Sequence, residues 1–207
     1  MYIPKSFSQT DLNLLFAFMQ KHNFATLVSQ SENGLTATHL PLMLDSTRGE
    51  YGTLLGHVAK ANSQWKSMFH REVLVMFQGP HTYISPSWYE TQPNVPTWNY
   101  TVVHAYGTPQ IVEDSAVVYG MLEQLVNHHE AGFAQPWTMN LPDDYMRKMV
   151  QAIVAFEIPI TRLEGKFKLS QNRSETDQSQ VIEALAESAY PPDRDVSEMM
   201  QDSKSSS

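Results

Sequence analysis

Three short stretches of the chain gather the side chains that could do chemistry, and two of them carry what an anion needs. In Gly56-His57-Val58-Ala59-Lys60-Ala61-Asn62, a histidine at the end of a strand-like run is followed by a lysine and an asparagine as the chain turns. Such donors suit a phosphate group, although a solvated turn with an exposed lysine accounts for the same residues. In Lys166-Phe167-Lys168-Leu169-Ser170-Gln171-Asn172-Arg173, the residues Lys166, Lys168 and Ser170 share one strand face, and Gln171, Asn172 and Arg173 add amide and guanidinium donors. An anion site explains this concentration, and so does a charged strand edge that resists aggregation. In the third stretch, Thr36 to Leu40, Thr38 points with Thr36 and Leu40 while His39 points with Ala37. A threonine or histidine buried there needs a polar partner.

Other chemistries lack their patterns. There is no G-x-G-x-x-G and no Walker sequence, which argues against Rossmann and P-loop sites. Eight histidines raise the question of metal, yet no H-E-x-x-H occurs, and the adjacent His128 and His129 would point about 100° apart on a helix. No metal site is expected. Ser85-Pro86-Ser87 is not a nucleophile elbow, so no hydrolytic triad can be assembled and catalytic residues stay unassigned. The net charge of −8, from 22 acidic and 14 basic residues, disfavours direct binding of nucleic acid or anionic lipid. No run of about 18 apolar residues suggests a membrane span. Absent an apolar leader as well, a cytoplasmic protein is expected.

These stretches need positioning elements. A helix is expected from about Asp11 to Lys21, capped by Thr10, with Leu12, Leu15, Phe16 and Met19 as its apolar stripe. Phe24 to Ser29 and Leu35 to Leu44 form a hairpin about the turn Ser31-Glu32-Asn33-Gly34, and Pro41 marks the second strand as an edge, bulge or interruption. Tyr51 to Val58 is a further strand, Ala59 to Phe69 a short helix or connector, and Glu72 to Gln78 an apolar strand. Gly79 to Gly107 holds the densest run of aromatics, prolines and histidines. Two strands there, Thr82 to Ser85 and Asn99 to Tyr106, flank a connector with Pro86, Pro93 and Pro96 that cannot be helical. Helices are expected from Asp114 to about His129, from Asp143 to Gln151 after Pro142, and from Ser174 to about Glu187. Between the last two lies extended chain from Ala152 to Leu169. The pattern predicts one domain over residues 1–188, mainly β with peripheral helices (α+β), as a small β-barrel, and a polar, disordered tail over 189–207.

A series of motifs resembles one family. They are Met1-Tyr2-Ile3-Pro4, Phe24 to Ser29, Ala37-Thr38-His39-Leu40-Pro41-Leu42, Gly56-His57 with Ala61-Asn62, Gly79-Pro80-His81, Tyr83 to Tyr89, Val95 to Tyr100, and Lys166 to Arg173. Together they are similar to the PaiB-like, FMN-binding negative transcriptional regulators of the FMN-binding split-barrel group. The resemblance implies a split β-barrel, a homodimer, and flavin mononucleotide near the subunit interface. By analogy it places the flavin phosphate near His57, Lys60 and Asn62, and the ring beside Thr38, His39 and Leu40. Trp98 and Asn99 would cover the ring from the partner subunit, and Lys168, Gln171, Asn172 and Arg173 would complete the pocket. The function so implied is a transcriptional regulator or flavin-based sensor. Its alternative is a flavin-dependent oxidoreductase acting on a small substrate, with a haem-binding split barrel as a third reading.

Overall fold

The computed structural model describes residues 1–69, 71–90 and 92–205. The elements run in chain order as β1 (Ser8–Gln9), α1 (Leu12–Lys21), β2 (Phe24–Ser31), β3 (Gly34–Pro41), β4 (Met43–Asp45), β5 (Thr53–Ala59), α2 (Trp65–Met68) and β6 (Val73–Ile84). They continue as β7 (Thr97–Gly107), β8 (Gln110–Ile111), α3 (Ser115–Glu130), α4 (Asp143–Gln151), β9 (Ile153–Lys168), α5 (Glu175–Ala186) and α6 (Pro191–Ser205). The hydrogen-bonded strand order is β3-β2-β6-β7-β9-β5-β4, with β1 and β8 also pairing with β9. The chain falls into two compact units built from interleaved segments.

The first unit holds residues 1–18, 78–104 and 164–207. Asp11 rather than Thr10 caps α1, its carboxylate accepting from the amides of Asn13 at 2.8 Å and Leu14 at 3.3 Å. Asp sits one position closer to the first turn, where the orphan amides are. Along β6 the buried face changes phase. Odd residues are buried up to Phe77 and Gly79, even ones at Thr82 and Ile84. One continuous strand therefore replaces the two read from Glu72–Gln78 and Thr82–Ser85. The slip falls at Gly79-Pro80, where the proline supplies no ladder amide and a Cβ on Gly79 would overlap the Thr101 hydroxyl.

The tail expected to be disordered is helix α6. Its polar composition hides a stripe at helical spacing, Val196, Met199 and Met200, packed with Leu185, Val181 and Ile84 in one apolar cluster. Ser197 donates to the Ile182 carbonyl at 2.9 Å, and Asp193 accepts from the hydroxyls of Thr82 and Ser188. Ser206 and Ser207 lie outside the described residues. Helix α5 starts as expected, the Ser174 hydroxyl accepting from the Asp177 amide at 3.1 Å.

The second unit holds residues 19–77 and 105–163. Its hairpin joins β2 to β3 in the register Ser31↔Gly34 through Phe24↔Pro41. Gly34 has φ of +104°, a conformation that favours glycine, directly after the turn residues Glu32 and Asn33. Pro41 ends β3, the outermost strand, where its missing amide interrupts no central ladder. Strand β5 lies between β4 and β9, pairing His57 with Ala155 and Gly56 with Phe156. Leu27, Leu42, Leu54, Phe77, Phe156 and Ile158 are fully buried in this unit. Asp114 caps α3, accepting from Ala116 at 2.8 Å, and α4 begins after Pro142 with Asp143 and Asp144 in its first turn. Among the described residues no helix is long and apolar enough to cross a membrane.

Candidate functional site

In the second unit, the residues expected around the flavin phosphate do not converge. The Thr38 hydroxyl accepts from the Asn62 amide at 2.9 Å and donates to the Gln64 carbonyl oxygen. Gln64, only 3% exposed, donates its own amide to Leu27 O at 3.2 Å, Ser29 Oγ at 3.0 Å and Thr36 O at 3.1 Å. This network ties the loop before α2 to β2 and β3. It is internally satisfied.

Its neighbours go elsewhere. Leu40 is a core residue, and His39 is exposed, stacked on Phe24 with Nδ1 at 2.9 Å from the Thr26 hydroxyl. Lys60 points out from the turn, its carbonyl accepting from Trp65 Nε1 at 3.0 Å. His57 lines an apolar cavity with Met43, Leu55, Val118, Met121 and Leu122. Burial there holds the His57 pKa below that of a free imidazole, which keeps the ring neutral. A neutral imidazole against the apolar face of α3 lacks the positive charge that a phosphate clamp offers.

In the first unit, β7 sorts its side chains by the two-residue period. Trp98 is 53% exposed, with the rings of His81 at 6.3 Å and Tyr83 at 6.2 Å between centroids, making an open aromatic surface. Asn99 faces inward and is fully buried, donating to Ser170 Oγ at 2.9 Å and Met200 Sδ at 3.4 Å. It therefore has no surface to lay on a ring. It fastens Ser170, which takes a φ of +66°, at the end of β9.

Beyond β9, Gln171 folds back on its own strand, accepting from the Leu169 amide at 2.7 Å and donating to Phe167 O at 2.6 Å. Asn172 is exposed. Arg173 donates to Asn94 Oδ1 at 2.6 Å with its guanidinium 4.5 Å from the centre of the Tyr89 ring. Lys168 donates to Thr97 Oγ1 at 2.6 Å and to the Trp98 carbonyl, which ties it to the aromatic surface. Burial first, then the charges of Lys166 and Arg173, hold the Lys168 pKa below the usual lysine range. Two residues before it, Lys166 is 8% exposed, between the rings of Tyr100 at 5.1 Å and Tyr2 at 5.7 Å. Among the described residues, no carboxylate lies within ion-pair distance of Lys166, Lys168 or Arg173.

The structure thus divides the expected site. Thr38, His39, Leu40, His57, Lys60 and Asn62 belong to one unit, and Trp98, Asn99, Lys168, Gln171, Asn172 and Arg173 to the other. Sequence reasoning named Lys166 within the basic cluster of β9 but passed over His81, Tyr83, Tyr2 and Tyr100 as site residues. Strand alternation could have found Tyr100, which shares a face with Trp98.

Residues 1–162 match the family described as "Putative FMN-binding domain". The protease synthase and sporulation protein PAI 2 of Bacillus subtilis is 39% identical over 206 residues, covering 98% of this chain and 97% of that protein. The chain belongs to this FMN-binding, PaiB-like family. Its cofactor is FMN. Among solved structures, the flavocytochrome Anf3 of Azotobacter vinelandii superposes with a TM-score of 0.60 at 12% identity, covering 86% of this chain and 78% of that one. The FAD and heme binding protein of Mycobacterium smegmatis gives 0.60 at 13% identity, covering 83% and 78%. At such identity the likeness speaks for the fold, the split barrel expected from the sequence.

The first unit fits such a cofactor by its donor set. FMN brings a dianionic phosphate and a flat, largely apolar ring. Lys166 and Lys168, with no carboxylate within ion-pair distance among the described residues, have the charge that suits a phosphate, and the aromatic surface at Trp98 has the shape that suits a ring.

Proposed function

We propose that the protein is an FMN-binding regulator in which bound flavin acts as a redox or metabolite sensor, and that it works as a homodimer. The observation that carries this reading is the open aromatic surface of Trp98, Tyr83 and His81, held against Lys168 by the lysine's hydrogen bond to the Trp98 carbonyl. A flat ring stacks on such a surface, and the cation beside it suits the phosphate. FMN supplies the redox chemistry, while Trp98 binds and orients the ring and Lys168 holds positive charge for the phosphate. Asn99 acts as a positioning residue through Ser170.

The regulatory output is supported by the 39% identity to a protein named for protease synthesis and sporulation. With a net charge of −8, that output runs through a protein partner or a small molecule rather than through direct reading of DNA. Flavin fluorescence titration tests the site. Trp98→Ala is expected to weaken FMN at least about tenfold, the scale of one lost aromatic stacking contact. Unchanged affinity together with unchanged dimerisation removes this surface from the function.

A flavin-dependent oxidoreductase is the second reading, favoured by the 53% exposure of Trp98, which leaves a ring seated there open to a second reactant. Steady turnover of a nicotinamide nucleotide by the FMN-loaded protein supports it. Absence of turnover leaves the sensor. Absorption of the purified protein separates flavin from haem, since only haem gives a Soret band.

A further inference from the structure

Helix α6 lies on a floor that is partly polar. The side chains that meet it in the first unit include Thr82, Asn99 and Thr101, each 6% exposed or less. A permanent core contact is ordinarily apolar, whereas β6 and β7 offer α6 two hydroxyls and an amide. The middle of the helix answers them with weak acceptors. Asn99 donates to Met200 Sδ at 3.4 Å, and Thr101 donates to Met199 Sδ at 3.7 Å and to the Pro80 carbonyl at 3.5 Å. Thr82 donates to Asp193 in the first turn. A thioether is a weak acceptor, so water can take its place on Asn99 and Thr101. Undocking the middle of α6 therefore gives up chiefly the apolar contacts of Val196, Met199 and Met200.

These three anchors differ in access. Val196 and Met200 are buried, whereas Met199 is half-buried, which leaves its side chain open to a small oxidant in water. The Thr101 hydroxyl that donates to its sulfur cannot retreat, because it is packed so closely on Gly79 that a Cβ there would overlap both the hydroxyl and the Phe18 ring. An oxygen added to the sulfur has to fit into this crowded contact. We propose that Met199 is a sulfoxidation site and that its oxidation by a peroxide releases α6. In that step a lone pair of Met199 Sδ takes one oxygen of hydrogen peroxide and the O–O bond breaks. The other oxygen leaves as water with both protons, so the sulfur is oxidised and the peroxide reduced by one electron pair. The polar sulfoxide is disfavoured against the apolar cluster of Ile84, Val181 and Leu185, and the stripe detaches. The site rests on the surroundings of the sulfur and is independent of whether flavin is bound.

The test exposes wild type, Met199→Leu and Met199→Gln to hydrogen peroxide with no flavin added. Mass spectrometry reads oxygen uptake at each methionine, and amide hydrogen exchange reads the docking of α6. In wild type, oxidation at Met199 is expected to speed exchange along α6 about tenfold or more while the β2–β3 hairpin stays unchanged. Methionine sulfoxide reductase should restore the slow exchange. Met199→Leu, which nearly keeps the volume and removes the sulfur, should hold its α6 protection through the same treatment. Met199→Gln, a polar chain of similar length, should show fast α6 exchange before any peroxide is added. The proposal is overturned if Met199 takes up oxygen and α6 keeps its protection, or if Met199 stays reduced once Met149, 44% exposed on α4, is fully oxidised. Equal loss of protection in peroxide-treated Met199→Leu and wild type assigns the effect to another methionine and also overturns it. Should Met199→Leu dock poorly before treatment, reversal in wild type decides. Recovery that tracks removal of the Met199 oxygen supports the site, and release that does not track it overturns the proposal.

Discussion

The stretches His57 to Asn62 and Lys166 to Arg173 look alike as text, each setting basic and amide side chains around the end of a strand, and the structure gives them opposite fates. In the first, the amides of Asn62 and Gln64 are consumed by Thr38 and the backbone of β2 and β3, His57 is neutral among the apolar side chains of α3, and Lys60 points to solvent. In the second, the amide of Gln171 is likewise consumed, yet among the described residues no carboxylate pairs with Lys166 or Lys168. What separates a structural cluster from a binding cluster is the charge left over after internal hydrogen bonds are counted, and not the residue types.

Four measurements can break or sharpen this contrast. Gln64→Ala is the largest expected effect. It strands the Leu27 and Thr36 carbonyls and the Ser29 hydroxyl in a buried site, and should cost about 3 kcal/mol or more in chemical denaturation, leaving flavin affinity of the folded protein intact. A loss of FMN affinity larger than the loss of stability would place this network in the binding site after all.

Next comes pH. Lys168 has a pKa held below the ordinary 10.5, so FMN affinity should fall as pH rises through that depressed value and the ammonium deprotonates. Anion binding should in turn draw a proton onto Lys168 in that window, measurable as proton uptake in calorimetry. A flat affinity profile up to pH 10.5 contradicts a phosphate held by Lys168.

His57 gives the opposite and smaller sign. Its folded pKa lies below 6.5, so the unfolded chain takes up the proton first and stability is lost as pH falls from 6.5 toward the folded value. His57→Gln should blunt this acid sensitivity without changing the FMN-to-riboflavin preference. Smallest of all, Lys60→Met should change stability by less than about 0.5 kcal/mol and FMN affinity not measurably, since the side chain is exposed. A Lys60 effect on FMN affinity as large as that of deprotonating Lys168 would erase the contrast.

Much of the scaffold was legible because it rests on local rules. Asp114 and Ser174 announced their helices, Pro142 preceded the next, and the Ser31 to Gly34 turn set the hairpin register. Two features were illegible for reasons that are equally physical. Helix α6 has a polar composition, and its three apolar anchors become a stripe only when they meet the cluster around Leu185. The single strand β6 was cut in two because Gly79-Pro80 reads as a breaker, whereas the tight approach of Thr101 and Phe18 makes glycine the residue required there.

At the site, the sequence by itself determined the family, its cofactor and the alternation that sends Trp98 outward and Asn99 inward, because motif identity and a two-residue period need no distant contacts. Only the tertiary structure decided which basic cluster remains charged and open. That depends on partners far apart in sequence: Tyr2 and Tyr100 around Lys166, the Met1 amine on Glu164, and the face of α3 over His57. Burial and leftover charge are properties of the assembled surroundings, and no spacing along the chain encodes them.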